Sequence, residues 1–169
     1  MNGTTINETR QYLTFKLSDE MFGVDVAQVR EILDYIKITK VPQTPDFMCG
    51  VINLRGSVVP VVDMNLKFSM AKTERTVNTC IVVVEVNIDG DTTVLGALVD
   101  SVQEVFEIEP ENIEPAPRIG TKLKTEFIKG MGKHNERFII ILDIDKIFSS
   151  EELLSVKENS IVADAAASN

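Results

Sequence analysis

Apolar and polar residues alternate along much of the chain, beginning where Leu13, Phe15 and Leu17 are separated by Thr14 and Lys16. That period of two predicts a strand with one buried face. Ser18, Asp19 and Glu20 form a turn signal, and Phe22, Val24 and Val26 then alternate with Gly23 and Asp25, which predicts the hairpin partner. Val26, Val29, Leu33 and Ile36 fall at helical spacings, yet residues 29–35 are rich in branched and aromatic side chains. The expectation is a short helical turn from about Asp25 followed by a strand. Pro42 and Pro45 make a rigid connection. Residues 51–54 and 58–62 are two β-prone runs about a Gly56-Ser57 turn, a hairpin in which Pro60 must stand at an edge or a bulge because it cannot donate to a ladder. A helical turn is expected over 64–68.

Residues 80–86 and 93–99 flank Asn87-Ile88-Asp89-Gly90-Asp91, and Asp-Gly is a strong hairpin signal. Val102, Val105, Phe106 and Ile108 continue the apolar trace. The run Pro-Glu-Asn-Ile-Glu-Pro-Ala-Pro at 110–117 is a poor helix or central-strand former, so an extended surface loop is expected. Residues 127–131 and 137–142 read as a last strand pair around Gly132-Lys133-His134-Asn135, and Ile144, Ile147 and Phe148 begin a helical segment. A short helix over 151–156 and a disordered end are expected beyond it. This strand-turn rhythm implies an all-β architecture. Residues 1–11 are expected to be flexible and 12–148 to form one domain. The polar stretch 71–78 reads as a linker between two lobes, 23–70 and 79–148, with the first strand able to belong to either. Residues 149–169 complete the chain as helix and tail.

Composition narrows the function. The 169 residues carry 17 Lys and Arg against 26 Asp and Glu, a formal charge of -9, which opposes binding to nucleic acid. A chain of this size buries about 70% of its unfolded surface, enough for a core without disulfides or a structural metal. His134 is the only histidine, Trp is absent, and Cys49 and Cys80 are isolated, which leaves zinc sites and hydrolytic triads short of residues. Two distant cysteines without a leader suit a reducing cytoplasm. No apolar run approaches the roughly 20 residues of a membrane span.

Local candidates mostly have plain explanations. His134 reads as an exposed turn residue, and Gly130-Met131-Gly132-Lys133 lacks the spacing of a phosphate loop. Asn87, Asp89 and Asp91 suit a hairpin turn better than a calcium loop. Asp143 suits a helix cap better than a metal site with Asp145. Cys49 and Cys80 read as buried small hydrophobes. Arg55 differs, since it stands between an apolar strand and a turn glycine with Glu31 a candidate acidic neighbour. Arginine is enriched at interface hot spots, whereas position alone favours an intramolecular salt bridge at a hairpin end.

Gly50-Val-Ile-Asn-Leu-Arg-Gly56 followed by Val-Val-Pro-Val-Val-Asp63, with Val29-Arg30-Glu31-Ile32 upstream, resembles the bacterial chemotaxis coupling proteins, the CheW family. Their fold is shared by the regulatory domain of the histidine kinase CheA. The similarity runs from about Tyr12 to Phe148 and takes in Gly96-Ala-Leu-Val-Asp100, Pro115-Ala-Pro117 and residues 143–148. It implies two SH3-like five-stranded β-barrel lobes sharing a hydrophobic core, with short helical turns and a C-terminal helix. It also implies a non-catalytic cytoplasmic adaptor, without cofactor or metal, that bridges the cytoplasmic tips of methyl-accepting chemoreceptors to CheA in arrays at the inner face of the membrane. Association with further copies of itself in array rings is compatible with this. Carried over by position, Val29, Glu31, Gly50, Asn53 and Arg55 fall on a receptor-facing groove between the lobes. There Val29 offers apolar surface, Glu31 and Arg55 polar contacts, and Gly50 close approach. Glu114, Arg118 and Ile119 are the kinase-facing candidates. Residues 71–78 and those after Ser150 match no motif, and the sequence holds no receiver or kinase module. Two rival readings stay open: an adaptor for a non-flagellar sensory array, or a small β-barrel enzyme or ligand-binding protein with polar residues of perturbed pKa clustered between the lobes.

Overall fold

Four two-residue turns frame the structure. Ser18-Asp19, Arg55-Gly56, Asp89-Gly90 and Asn135-Glu136 all have positive φ at both positions, from 49° to 86°, the left-handed pairing that matches the twist of antiparallel strands. The computed structural model describes residues 8–116 and 125–148. In it these turns join β1 (Arg10–Leu17) to β2 (Glu20–Asp25), β4 (Met48–Leu54) to β5 (Ser57–Asp63), β6 (Cys80–Ile88) to β7 (Asp91–Val99), and β10 (Ile128–His134) to β11 (Arg137–Leu142). The other elements are β3 (Val29–Asp34), β8 (Ser101–Ile108), β9 (Ile113–Glu114), α1 (Met64–Lys67) and α2 (Ile144–Ile147). Single 3₁₀ turns occupy Val26–Gln28, Pro110–Asn112 and Thr125–Phe127. The helical turn before β3 and the all-β class are as expected.

The strands form two sheets, ordered β8-β1-β2-β11-β10-β9 and β3-β6-β7-β5-β4. Each makes one SH3-like lobe. Two pairings are parallel, β2 with β11 and β5 with β7, and they draw together strands far apart in sequence. The lobes therefore do not divide at 71–78: β6 and β7 complete the lobe of β3 to β5, and β1 and β2 belong with β8 to β11. Nor is 71–78 a free linker. Thr73 donates to buried Asp63 through its backbone N–H (3.0 Å) and its hydroxyl (2.7 Å), and the Thr76 N–H donates to Thr79 Oγ1 at 2.8 Å.

Alternation along the strands fills three clusters. On β6, Val82, Val84 and Val86 pack between the lobes with Leu13, Phe15 and Leu17 of β1, while Ile81 and Val83 pack inside their own lobe with Ile52, Val59 and Val61. Tyr12, Ile108, Ile139 and Ile141 fill the other lobe. Strands buried on both faces read as unbroken apolar runs, which explains residues 81–84.

Several expectations need correction. β1 starts at Arg10, inside the segment expected to be flexible, and it is buried on both faces, with Thr14 at 0% exposure. Thr14 tolerates this because its hydroxyl donates to the Glu104 carbonyl (2.6 Å) and accepts from the Glu104 N–H (3.0 Å), spanning a register shift between β1 and β8. Pro60 lies on an interior strand, but the parallel ladder with β7 begins only at Val61, so the proline stands outside it. Residues 110–114 form a 3₁₀ turn and a short strand instead of an extended loop. The helix and tail expected over 149–169 lie outside the described residues.

Candidate functional site

Glu31 and Arg55 meet at one rim of the β3–β7 lobe. The β4–β5 turn is Arg55-Gly56, one residue earlier than expected, and Asn53 stabilises it by accepting the Gly56 N–H at 2.9 Å. From its tip the Arg55 guanidinium reaches β3. Nη1 lies 3.3 Å from Glu31 Oε1, and Nη2 donates to Oε2. The intramolecular ion pair is thus real, but it is also open to solvent: the Arg55 side chain is 71% exposed and that of Glu31 27%. An exposed pair adds little stability, while a guanidinium with five N–H donors keeps several for water or a partner. The hydrogen bond from Arg55 holds the Glu31 carboxyl below the usual carboxylate range, and Glu31 in turn raises Arg55.

Beside the pair is a cleft of about 380 Å³ walled by Leu54, Val59, Val83 and Val94. Val58, 44% exposed, adds apolar surface at its edge. Arg30 lines the cleft too, its Nε 3.1 Å from Glu85 Oε1 in a second exposed pair. The cleft is built from one sheet, not from the junction of the lobes. Val58 and Arg30 are additions that alternation did not single out, because Val58 and Val59 are both apolar and a bulge interrupts β3.

The remaining candidates are placed differently. A register shift separates Val29 from Glu31: Val29 pairs with Val84 and packs against the interlobe core, whereas Glu31 pairs with Val83 of the lobe interior. Val29 and half-exposed Ile32, paired with Val82, therefore share the opposite face of β3. Gly50 is buried at the other end of β4 with φ +140°, and a Cβ there would stand 2.1 Å from the Thr39 carbonyl oxygen. Thr39 and Val51 exchange backbone hydrogen bonds of 2.9 and 2.8 Å at that point. The close approach seen at Gly50 is that of the chain's own Thr39. Glu114 is exposed on β9 in the other sheet. Arg118 and Ile119 lie outside the described residues.

His134 is on β10, not in a turn, and stacks on Phe106 with centroids 3.9 Å apart. The turn is Asn135-Glu136. Asn87 Oδ1 accepts the Gly90 N–H at 3.1 Å, as a hairpin requires. Asp143 precedes α2 without capping it through its side chain. Burial pushes its carboxyl above the ordinary value. Asp145 Oδ1 instead accepts from Gln28 Nε2 (3.0 Å) and the Asn87 N–H (2.8 Å), tying α2 to the other lobe. Cys49 and Cys80 are half-buried, and burial pushes the Cys49 thiol up to about 12, an inert state at neutral pH. Among the described residues no group of three or more His, Cys, Asp or Glu could hold a metal, and no helix is long and apolar enough to cross a membrane.

The CheW-like domain family model matches residues 11–152. The chain is 38% identical over 154 residues to the chemotaxis protein CheW of Klebsiella aerogenes, covering 91% of this chain and 89% of that one. It is 34% identical over 146 residues to the chemotaxis protein CheW of Rhizobium meliloti, covering 86% and 92%. Among solved structures, the scaffolding protein TtCheW of Thermoanaerobacter tengcongensis superposes with a TM-score of 0.75 at 35% identity, over 85% of this chain and 94% of that one. Motif order, sheet topology and these matches agree: the chain belongs to the CheW-like domain family.

Proposed function

We propose that this protein is a non-catalytic chemotaxis adaptor that couples the cytoplasmic tips of chemoreceptors to the histidine kinase CheA. The observation that carries this reading is the exposed Glu31–Arg55 pair on a cleft of mixed polar and apolar lining, with exposed Val58 at its edge, charged groups next to hydrophobic surface such as helix-binding sites use. β3 is the end strand of its sheet. A receptor helix laid along it meets Val29 and Ile32 on one side and Glu31, Arg55 and Val58 on the other. Asn53 and Gly50 contribute by holding the β4–β5 hairpin in shape. Glu114, with Arg118 and Ile119, belongs to the kinase-facing surface in this reading. The protein works in the cytoplasm, at receptor arrays on the inner face of the membrane, by geometry and affinity without turnover.

The enzyme alternative asks for titratable groups converging on one cleft. Among the described residues the shifted carboxyls and thiols stand on different elements instead: Glu31 on β3, Cys49 on β4, Cys80 on β6 and Asp143 before α2. Reconstitution tests the proposal: receptor-bearing membranes should stimulate CheA autophosphorylation only when this protein is added. Stimulation of equal size without it would contradict the proposal.

A further inference from the structure

A second cleft, of about 540 Å³, opens on the β3–β7 lobe and shares no lining residue with the Glu31–Arg55 cleft. It lies between the segment 35–46 that leaves β3 and the segment 72–79 that leads into β6. Its floor is apolar and buried: Val41, Met48 and Leu98 are 5%, 6% and 5% exposed. Its rim carries three exposed cations, Lys40, Lys72 and Arg75. None of the three makes an ion pair among the described residues, where the pairs involve Arg10, Arg30, Arg55 and Lys146.

Asp63 lines the cleft, but its two oxygens accept from Thr73 and from the Leu66 N–H. With Asp46 at the rim and Asp63 in the wall, the lining sets three cations against two carboxylates, a small local excess of positive charge in a protein of net charge -9. Arg75 lies over the Tyr35 ring at 4.1 Å, a contact that ties the two walls together through the guanidinium face and leaves its N–H edge available.

We propose that this cleft binds a small organic anion, whose carboxylate or phosphate meets Lys40, Lys72 and Arg75 and whose apolar body covers Val41, Met48 and Leu98. The volume lies within the range of roughly 300–1,000 Å³ typical of small-molecule sites. Cations alone would accept any anion, and the buried floor selects one with an apolar body. The site is independent of the adaptor function and stands or falls separately from it.

Amide chemical-shift mapping of the full chain tests this, with octanoate and phenyl phosphate as probes and octanol and inorganic phosphate as controls. Both probes should shift signals from 38–49 and 72–79 at millimolar concentration, and more strongly than either control. The double variant Lys40→Glu, Lys72→Glu should weaken octanoate binding by about tenfold or more, as loss of charge-assisted contacts requires, with the thermal midpoint unchanged. Should that variant unfold, Lys40→Gln alone should still weaken binding. Absence of shifts with both probes, shifts confined to other regions, or equal binding of octanol or inorganic phosphate would overturn the proposal. So would binding of a glutamate-rich peptide without binding of the small acids, which would assign the cleft to a protein partner.

Discussion

The Arg55 guanidinium reaches from the tip of the β4–β5 turn to the Glu31 carboxylate on β3, joining two strands that are at opposite ends of the sheet order. Arg55 holds the Glu31 carboxyl below its ordinary value of 4.5. Between the folded and ordinary values the unfolded chain binds more protons, so stability rises with pH across that window. The contribution is complete above 4.5 and is lost as pH falls through the folded value. Carboxyl titration by NMR should find Glu31 below its ordinary midpoint, and Arg55→Ala should move it upward. An unmoved midpoint would mean that the pair does not persist in solution.

Gly50→Ala separates structure from recognition. The added Cβ would stand 2.1 Å from a backbone oxygen, in a conformation at φ +140° that side chains rarely adopt. The expected cost is about 3 kcal/mol, among the larger effects of single substitutions, measured by denaturant unfolding. Partner binding should fall only in proportion to the unfolded fraction. A fully stable variant that fails to bind would return Gly50 to the interface.

Thr14→Val keeps the shape of the side chain and removes its hydroxyl. The Glu104 N–H and carbonyl then lose their part-buried partner. A loss of about 1–3 kcal/mol is expected, whereas Thr14→Ser should retain most of the stability. Equal losses in both variants would point to packing as the cause.

Asp143 is raised by burial, the reverse of Glu31. Its folded value exceeds the ordinary 3.8, so the folded state binds more protons between the two and ionisation at higher pH costs stability. Asp143→Asn should therefore stabilise the protein at neutral pH, and the gain should vanish as pH falls below 3.8. A gain independent of pH would contradict this cause.

Local chemistry made much of the fold legible. Asp89-Gly90 was plain because both residues tolerate positive φ. Arg55-Gly56 was displaced by one residue because arginine gives no such signal. Asn135-Glu136 was displaced because Gly130 and Gly132 resemble turn residues. Those glycines are packing residues: a Cβ on Gly130 would stand 2.5 Å from Ile113 Cγ2, and one on Gly132 2.9 Å from Ile108 Cδ1. The parallel pairings that interleave the lobes join distant segments and leave no local trace. At the site, the charges of Glu31 and Arg55 suggested their partnership, but the bulge that turns Val29 to the other face is a property of the β3–β6 ladder. The backbone contact that requires a glycine at position 50 is with Thr39, eleven residues away, and is brought about only by the fold.

The proposed coupling role is tested most directly by co-sedimentation of the purified protein with receptor-bearing membranes and CheA, comparing wild type with Arg55→Ala. Recovery of the variant should require about tenfold more protein, the scale of a hot-spot truncation, with its thermal midpoint unchanged. A folded Arg55→Ala protein that sediments as efficiently as wild type would contradict a receptor-facing role for the Glu31–Arg55 rim.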